Sequence, residues 1–510
     1  MQTQLIIDNL PRAAKNGGTF ERRHPVTGEL ITTGAAATVE DAQAIADSSA
    51  AAFAAWSTSG PTQRRSILLK AADLLEQKVP EFCRVMAAEV GASQLWSTFN
   101  VMGSAALFRE AAGLATQIQG ETIPTDKPNT VSMTLRQAAG VVLSIVPWNG
   151  PVLLGARAIA YPLVCGNPVI FKASENSPMT HALLVSCLHE AGLPPGVLNF
   201  ITAAPESAGA VTEALIAHPA VRRVNFTGST RVGRIIAETS ARYLKRSLLE
   251  LGGKAPFVVL DDADLDGAVN AATFGAFLYQ GQICMSTERF VVDSKVADAF
   301  VAKFVAKAKA LATDDPRKDA GSVIGPMVSP ASGERLNRML QDAVSKGARI
   351  VVGGKADGAV MAATIVDNVK PGMLIYDEET FGPVTTIVRV NGDEEALAVA
   401  NDTEYGLSSA IFSNSLKRAL AMASRMQAGC VHVNGATVQN EAQAPYGGMK
   451  NSGYGRFDGR AVIDEFTEVK WITLEDPAQP YPMRFPGLGP CLLWATELAT
   501  GLARNLRRRR

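Results

Sequence analysis

The sequence predicts an α/β fold in which mostly parallel sheets are covered by helices on both faces. From residue 141 onward, short continuous apolar segments of strand length alternate with amphipathic stretches of helix length. Strands that are apolar on both faces, joined by helices, are typical of parallel β-α-β units. A chain of 510 residues is long enough for more than one domain with its own core.

The alternating pattern is preceded by a helical region and divides into two parts. Residues 40–120 are rich in alanine and repeat apolar residues every three or four positions, which predicts helices. The first alternating part has a predicted helix at 178–191, closed by Gly192 and Pro194-Pro195. Its predicted strands are VVLSIVPW (141–148), NPVIFKAS (167–174), GVLNFI (196–201), RRVNFTG (222–228), SLLELGG (247–253) and APFVVL (255–260).

The second alternating part runs from about residue 263 to 450. A helix is predicted at 295–312, and EVKWITLE (468–475) alternates like an edge strand. The strands predicted before it are ERFVVD, ARIVVGG, TTIVRV and GCVHVNG. The tail that follows contains a short apolar stretch with Glu497 and ends in four arginines, which favours a surface helix or a solvated tail.

Composition excludes several classes of function. The chain has 49 basic and 49 acidic residues, so no charge excess favours nucleic acid. The six cysteines and five histidines show no ligand-like spacing, and we expect neither a metal site nor a disulfide framework. The N-terminus lacks the pattern of a signal peptide, and no uninterrupted apolar segment is long enough to span a membrane. A reducing cytoplasm is therefore expected.

Cys284, in YQGQICMSTERF (279–290), is either a nucleophile or a small core hydrophobe. A working thiol needs a base, and Glu250 in LLELGGK is one candidate: a carboxylate among leucines would have a raised pKa, unless it faces outward. The thiol also needs an oxyanion donor. Asn149 follows the strand 141–148 and offers an amide N–H, although Asn-Gly is also a good turn dipeptide.

Other strand ends carry residues suited to a nucleotide. In VNFTGSTRVG, Gly228 to Gly233 open a helix whose first N–H groups suit a phosphate, although the spacing is not the usual dinucleotide fingerprint. Lys172 and Glu175 follow another strand, where an acid can accept from a ribose hydroxyl, or they form an exposed pair. Glu379 and Phe381 lie in a further strand-edge loop, DEETFGPV.

Together and in this order, PWN, FTGSTRVG, LELGGK, GQIC and EETFGPV resemble the aldehyde dehydrogenase superfamily, over about residues 20–480. Segments such as VGASQLW, YPLVCGNPVIFK and VHVNGATVQNEAQAPYGGMKNSGYG resemble its salicylaldehyde-oxidising branch, with vanillin and benzaldehyde dehydrogenases as neighbours. The resemblance implies a Rossmann-like NAD-binding domain (1–120 and 142–250) and an α/β catalytic domain (251–460). It also implies a small β oligomerisation element (121–141 and 461–482), which leaves an extra tail at 483–510.

The resemblance also implies roles for single residues. Cys284 is the expected nucleophile, Asn149 an oxyanion donor and Glu250 the base that activates water. NAD is the expected cofactor, favoured over NADP because Glu175 would repel a 2′-phosphate, although Lys172 offsets part of that repulsion. The expected cofactor residues are Trp148, Lys172, Glu175, Thr227, Gly228, Ser229, Glu379 and Phe381.

The branch-level resemblance implies an aromatic pocket. Trp96 would form a wall, Gly150 would leave room for a ring, and Arg157 would stabilise an ortho hydroxyl or phenolate. Alternatively, Arg157 forms a structural ion pair and Trp96 belongs to the core. Tyr446 is expected at the pocket entrance, and His432 is given no role.

The family likeness further implies that EVKWITLE joins a partner's sheet, so a homodimer or a dimer of dimers is expected. Three other functions stay open: a dehydrogenase of broad aromatic and aliphatic range, a non-catalytic protein, and a hydrolase without cofactor. The last two are disfavoured because nucleophile, base and cofactor residues are all present.

Overall fold

The computed structural model describes residues 1–319 and 321–475. The end of the expected oligomerisation element (476–482) and the tail 483–510 lie outside the described residues. The helices are α1 (Val39–Ser57), α2 (Pro61–Gln77), α3 (Val79–Val90), α4 (Gln94–Leu114), α5 (Pro151–Val164), α6 (Pro178–Glu190), α7 (Ala208–Ala217), α8 (Thr230–Arg242), α9 (Leu265–Phe277), α10 (Ser294–Lys309), α11 (Pro330–Ser345), α12 (Leu374–Asp377), α13 (Gly392–Asn401), α14 (Leu416–Ala423) and α15 (Val462–Phe466).

The strands fall into two large sheets and several small ones. They are β1 (Gln2–Thr3), β2 (Leu5–Ile7), β3 (Leu10–Arg12), β4 (Thr19–Arg23), β5 (Leu30–Ala35), β6 (Val131–Ala138), β7 (Val141–Ile145), β8 (Val169–Lys172), β9 (Leu198–Ile201), β10 (Val221–Thr227), β11 (Arg246–Glu250), β12 (Ala255–Val259), β13 (Thr287–Asp293), β14 (Arg349–Val352), β15 (Ala356–Asp357), β16 (Val360–Met361), β17 (Thr364–Asp367), β18 (Val384–Val390), β19 (Ser408–Phe412), β20 (Cys430–Val433), β21 (Gly453–Tyr454) and β22 (Thr467–Leu474).

The first large sheet has the order β21-β11-β10-β7-β8-β9-β2-β3. Its five central strands are parallel, and β21 and β2 add antiparallel to either side. Ile145 lies opposite both Lys172 and Phe226, and Thr227 lies opposite Glu250. The carboxyl ends of four strands therefore meet at one edge, where ligands bind in open α/β sheets.

The second large sheet has the order β14-β17-β18-β13-β12-β19-β20 and is parallel except for β14. Apolar residues on both faces make these strands central to two separate cores. Helix α5 is buried along its whole length. An apolar helix of this kind, directly after β7, fixes the loop 146–150 that carries Asn149.

The chain folds into two compact units. The larger comprises Met1–Ile118 and Gln137–Glu468, and the smaller comprises Gln119–Arg136 together with, among the described residues, 469–475. Within the smaller unit, Ile123 and Ser132 bond through their backbones, and β6 pairs with β22. No helix in the described part of the chain is long and apolar enough to cross a membrane.

Several features differ from the sequence prediction, among them the strands β17 and β19 of the second large sheet, which were not predicted. The strands β1–β5 at the N-terminus were not predicted, although Asp8 and Asn9, both with positive φ, form the turn between β2 and β3. Helix α10 ends at Lys309 rather than at 312. The chain beyond it leaves the helix and forms a bridge between Thr313 and Ile324.

Candidate active site

Cys284 follows a tight turn that the structure holds in an unusual backbone conformation. Tyr279, Gln280 and Gly281 all have positive φ, which is costly for the first two residues. The Gln280 side chain donates to the Pro326 carbonyl at 2.8 Å and accepts from the Gly325 N–H at 3.2 Å. This anchored turn directs the half-buried Cys284 toward the edge of the first sheet.

Glu250, the last residue of β11, is buried rather than outward-facing. Its Oε1 accepts a hydrogen bond of 3.2 Å from the Tyr446 hydroxyl, and its Oε2 has no partner among the described residues. Burial raises the pKa of Glu250, and Arg157 opposes part of that shift. An unpartnered carboxylate oxygen with a raised pKa is suited to accept a proton near neutral pH.

Tyr446 bridges the thiol and the carboxylate. Its hydroxyl lies 3.5 Å from Cys284 Sγ and donates to Glu250. Burial, followed by the nearby Glu250 charge, raises the pKa of the Cys284 thiol well above its usual value. The resting thiol is therefore protonated, and a base lies within reach to take its proton.

Asn149 lies in the loop between β7 and α5 and is buried. Its Nδ2 donates to the Gln282 carbonyl at 3.0 Å, which fixes the amide in place. Its own backbone carbonyl accepts from Trp96 Nε1 at 2.9 Å. Because an amide nitrogen carries two hydrogens, the second remains for an oxyanion formed at Cys284.

Two cavities meet at these residues. The smaller, about 460 Å³ with the open solvent at its mouth included, is lined by Trp96, Phe99, Asn149, Gly150, Leu153, Leu154, Arg157, Ile283, Cys284, Met285, Val438, Gln439, Asn440 and Tyr446. The larger, about 740 Å³ on the same basis, is lined by Pro147, Trp148, Asn149, Thr227, Gly228, Ser229, Glu250, Leu251, Gly252, Cys284, Glu379 and Phe381. Of the described residues, only Cys284 and Asn149 line both, so the thiol is accessible from two sides.

Six of the eight residues expected to hold the cofactor line the larger cavity. Ser229 caps helix α8, and its Oγ accepts from the Val232 N–H at 3.4 Å. The Trp148 and Phe381 rings meet edge to face, with centroids 5.8 Å apart. A helix start, a carboxylate and two aromatic rings are a donor set that fits a dinucleotide.

Lys172 and Glu175 are not among the residues that line that cavity. Lys172 ends β8, level with Ile145, and burial lowers its pKa while Glu175 opposes the shift. Glu175 Oε1 accepts from Asn176 Nδ2 at 3.0 Å. Both residues thus lie at the same sheet edge, and their expected role in holding a ribose stays a prediction.

The loop that carries Glu379 and Phe381 is held by a buried ion pair that the sequence analysis missed. Glu288 on β13 accepts from the backbone N–H groups of Thr380 and Phe381, at 2.7 and 3.0 Å. Lys254 Nζ lies 2.8 Å from the Glu288 carboxylate, and both side chains are buried. The sequence offered one signal for this pair. Lys254 in LELGGK and Glu288 in TERFVVD are charged residues within largely apolar segments.

Burial and the Glu288 charge raise the pKa of Glu379 to about 8. The Glu379 Oε1 accepts from the Gly253 N–H at 2.9 Å, directly after β11. The Glu379 carboxyl group, which faces the larger cavity, is therefore held close to β11, the strand that carries Glu250.

In the smaller cavity, Trp96 and Arg157 line the pocket and also have structural contacts, so the two interpretations of each residue apply together. Trp96 is buried, stacks between Phe99 and Tyr279, and still lines the cavity. Arg157 also lines it, while its Nη2 lies 3.3 Å from Asp458 Oδ2 in an ion pair that is almost fully buried. Gly150 opens α5 at the cavity wall, where a side chain would approach Leu154.

Tyr446 lines the smaller cavity, and its expected role toward a substrate stays a prediction. It is buried beside Cys284 and Glu250, and the Arg157 guanidinium lies 4.3 Å from its ring centroid. Antiparallel backbone bonds with Phe457 draw its loop inward. Among the described residues, no cluster of His, Cys, Asp and Glu is arranged to hold a metal ion.

Comparison with known proteins agrees with this fold and site. Residues 12–472 match the model of the aldehyde dehydrogenase family, and the chain belongs to that family. It is 60% identical over 482 residues to a salicylaldehyde dehydrogenase of Pseudomonas putida, covering 94% of this chain and all of the relative. A vanillin dehydrogenase of Pseudomonas fluorescens is 53% identical over 483 residues, covering 95% of this chain and all of that protein.

Solved structures show the same likeness. The crystal structure of a salicylaldehyde dehydrogenase from Pseudomonas putida G7, complexed with salicylaldehyde, superposes with a TM-score of 0.94 and is 60% identical, covering 95% of this chain and 100% of that one. The structure of PnpE in complex with nicotinamide adenine dinucleotide gives a TM-score of 0.90 at 36% identity, covering 94% and 99%. The aldehyde dehydrogenase fold expected from the sequence is confirmed.

Proposed function

We propose that this chain oxidises an aromatic aldehyde of the salicylaldehyde type to its carboxylic acid with NAD as cofactor. The observation that carries the proposal is the meeting of two cavities at one thiol, with Glu250 and Asn149 beside it. An aldehyde bound in the smaller cavity and a nicotinamide bound in the larger would approach Cys284 from opposite sides. The salicylaldehyde dehydrogenase relatives at 60% identity support the choice of substrate.

The reaction begins with removal of the thiol proton. Tyr446 accepts the proton from Cys284 as it passes its own to Glu250, or Glu250 takes the proton directly. The thiolate attacks the aldehyde carbon, and the carbonyl oxygen becomes an oxyanion. The Asn149 amide and the Cys284 backbone N–H stabilise that oxyanion.

The second half of the reaction depends on a hydride acceptor and on water. When bound, the nicotinamide ring supplies the hydride acceptor that the oxidation needs. The carbon–hydrogen bond breaks as the C=O bond re-forms, which leaves a thioester on Cys284. Glu250 releases the first proton to solvent and then takes a proton from water, whose oxygen attacks the thioester. The acid leaves as the Cys284 sulfur takes that proton from Glu250.

The residues around the larger cavity would hold the cofactor. Gly228 and Ser229 at the start of α8 suit the pyrophosphate, Glu379 suits a ribose, and Trp148 and Phe381 flank the cavity. The carboxylate of Glu175 disfavours a 2′-phosphate, which supports NAD over NADP. The NAD-bound PnpE structure supports the same choice.

A second candidate function is a dehydrogenase of broad aldehyde range, of benzaldehyde or vanillin type. Much of the smaller cavity is apolar, and Leu153, Leu154 and Val438 would accept many ring and chain shapes. The vanillin dehydrogenase relative at 53% identity supports this alternative.

NADH formation, followed with salicylaldehyde, benzaldehyde, vanillin and hexanal, separates the two functions. We expect the highest kcat/KM with salicylaldehyde, and we expect NADP to replace NAD poorly. Equal kcat/KM values across the four aldehydes would favour the broad-range function. No NADH formation with any of them would contradict both.

We further propose that the chain works as a homodimer or a dimer of dimers in the cytoplasm. The nucleophile must be a free thiol, and Cys284 forms no disulfide, which suits a reducing compartment. Within the smaller unit, the two-stranded sheet β22-β6 leaves Val469, Trp471 and Leu474 exposed. A sheet of two strands is marginal alone, and strand addition by a partner would extend it.

A further inference from the structure

Asp458 lies behind the wall of the aldehyde cavity and was not singled out by the sequence. It is fully buried, and its φ of +65° is one that Asp and Asn tolerate better than most residues. The carboxylate has one close cation, Arg157, whose Nη2 lies 3.3 Å from its Oδ2. Asp458 does not line the cavity, whereas Arg157 does.

The loop of Asp458 is tied to the loop of Tyr446. Phe457 and Tyr446 exchange two backbone hydrogen bonds of 2.8 Å, and the Gly459 N–H donates to the Ala442 carbonyl at 2.9 Å. The Arg157 guanidinium lies between these loops, 4.3 Å from the Tyr446 ring centroid and 5.6 Å from that of Phe457. The position of Asp458 thus determines where the guanidinium lies relative to Tyr446.

We propose that Asp458 is a positioning residue for the aldehyde cavity: it pairs with Arg157, holds the guanidinium against Tyr446 and neutralises its charge. The proposal deepens the proposed function, on which it rests. The neutralised guanidinium limits the attraction of the cavity for a phenolate, and it limits the field that Arg157 exerts on the reacting groups. The Asp458 charge would therefore lower the selectivity for a hydroxylated ring and, in return, keep Glu250 more basic.

The charged and titratable groups around this pair are few. Tyr161 on α5 and Asn440 approach Asp458, while Glu250, Cys284 and Tyr446 face Arg157. Glu110 on α4 acts only through Tyr161. Burial raises the pKa of Asp458 to about 6, with Arg157 opposing, so the carboxylate is charged at neutral pH. Asp458 also raises the pKa of Glu250.

Asp458→Asn tests the proposal because it removes the charge and keeps the size and the tolerance of positive φ. We expect the ratio of kcat/KM for salicylaldehyde over benzaldehyde to rise by about three- to tenfold at a pH where the phenol is ionised. We expect the acid limb of the kcat profile to move to lower pH, because the Glu250 pKa falls when the negative charge leaves. Glu441→Gln, which removes an exposed carboxylate from the Tyr446 loop, should change neither.

Two further variants separate positioning from simple stabilisation. In an Arg157→Met background, Asp458→Asn should have no effect on the ratio, because no guanidinium remains to neutralise. Asp458→Glu keeps the charge and should keep the wild-type acid limb. An Asp458→Asn enzyme that is slower with both aldehydes by one factor, with an unchanged acid limb, would overturn the proposal.

Failure of the role proposed for Asp458 can be distinguished from failure of the proposed function. If the wild type does not prefer salicylaldehyde, the substrate assignment fails. The acid limb still tests Asp458, since it is measured with whichever aldehyde the wild type oxidises. An acid limb that does not move in Asp458→Asn then overturns the positioning role alone.

Discussion

At the scale of single residues, one hydroxyl joins the nucleophile to its base. Tyr446 contacts both Cys284 and Glu250, and the thiol, hydroxyl and carboxyl groups are all buried enough to disfavour their charged forms. A site of this kind favours the neutral thiol, which is less readily oxidised than a thiolate.

Glu250 is expected to determine the acid limb of the pH profile. Burial raises its pKa, and it acts as a base only when deprotonated, so kcat should fall as the pH falls through that raised value. Glu250→Gln should slow the NADH burst, because the protonated thiol loses its base, and should slow turnover by about 10²- to 10⁴-fold, because thioester hydrolysis loses the same base. Stopped-flow measurement of the NADH burst checks this.

A Glu250→Gln enzyme with a full and rapid burst would show that Glu250 is not needed to deprotonate the thiol, which would contradict the proposed first step. Tyr446→Phe is the complementary variant, since it removes the hydroxyl bridge and leaves the carboxylate. It should slow the burst more than the steady state.

Trp96 is expected to affect catalysis as well as binding. Its Nε1 donates to the Asn149 carbonyl at 2.9 Å, so Trp96→Phe frees the loop that carries the oxyanion donor. We expect kcat to fall roughly 10-fold with every aldehyde, because small displacements of a catalytic group are costly. Steady-state kinetics measures this.

Trp56→Phe is the matched control, because Trp56 is equally buried and its Nε1 has no partner among the described residues. It should leave kcat within about twofold of wild type. A Trp96→Phe enzyme that changes only KM would contradict the positioning role and leave Trp96 as a wall.

At the scale of elements, the loop after α12 depends on the Glu288–Lys254 pair. Glu288→Gln leaves the buried Lys254 without its anion, which we expect to lower the free energy of unfolding by about 3 kcal/mol. It also weakens the hold on the backbone of Thr380 and Phe381, so the affinity for NAD should fall. Calorimetric melting and titration with NAD measure the two effects.

Glu334→Gln, on the exposed face of α11, makes the same change away from the loop and should alter neither quantity. Loss of stability in Glu288→Gln with unchanged NAD affinity would show that the pair supports the fold without positioning the cofactor loop.

The predicted elements came close to the structure where apolar periodicity was strong. The strands β7 to β12 and the helix α6 lie at the predicted places because buried parallel strands and their helices carry a continuous signal. The strands β1 to β3 were missed because they have only two or three residues each, and β4 (TFERR) and β5 (LITTGA) because polar residues interrupt their apolar pattern.

The candidate site was predictable as a set of residues and less so as an arrangement. Glu250 and Asn149 meet because strand ends in a parallel sheet share one edge, and Cys284 reaches them from the turn that precedes β13 of the second sheet. The inward position of Tyr446 depends on backbone pairing with Phe457, eleven positions away, and the Arg157 pair depends on Asp458. Contacts between distant loops leave no periodic trace in a sequence.

At the scale of the whole molecule, the proposed dimer depends on the exposed face of β22. Trp471 is 69% exposed, and its Nε1 donates to Ser132 Oγ within the same unit. Trp471→Glu should weaken self-association by about 2 kcal/mol, or roughly 30-fold in dissociation constant, because it buries a charge in the interface. Analytical ultracentrifugation over a dilution series measures this.

Lys470→Gln is the control, since neighbouring residues of a strand point to opposite faces. It should leave the association constant unchanged. A wild-type chain that sediments as a monomer at every concentration would contradict the proposed oligomer itself.

Among the described residues, the two cavities share only Cys284 and Asn149, so the thiol is reached from two separate spaces. Under the proposed function, the group bound in the larger cavity would exchange without displacing the ring held in the smaller one. The unpartnered oxygen of Glu250 belongs to a residue that lines the larger cavity, so water entering there would meet the base and the sulfur together. Release of the first product would thereby make room for the second reactant.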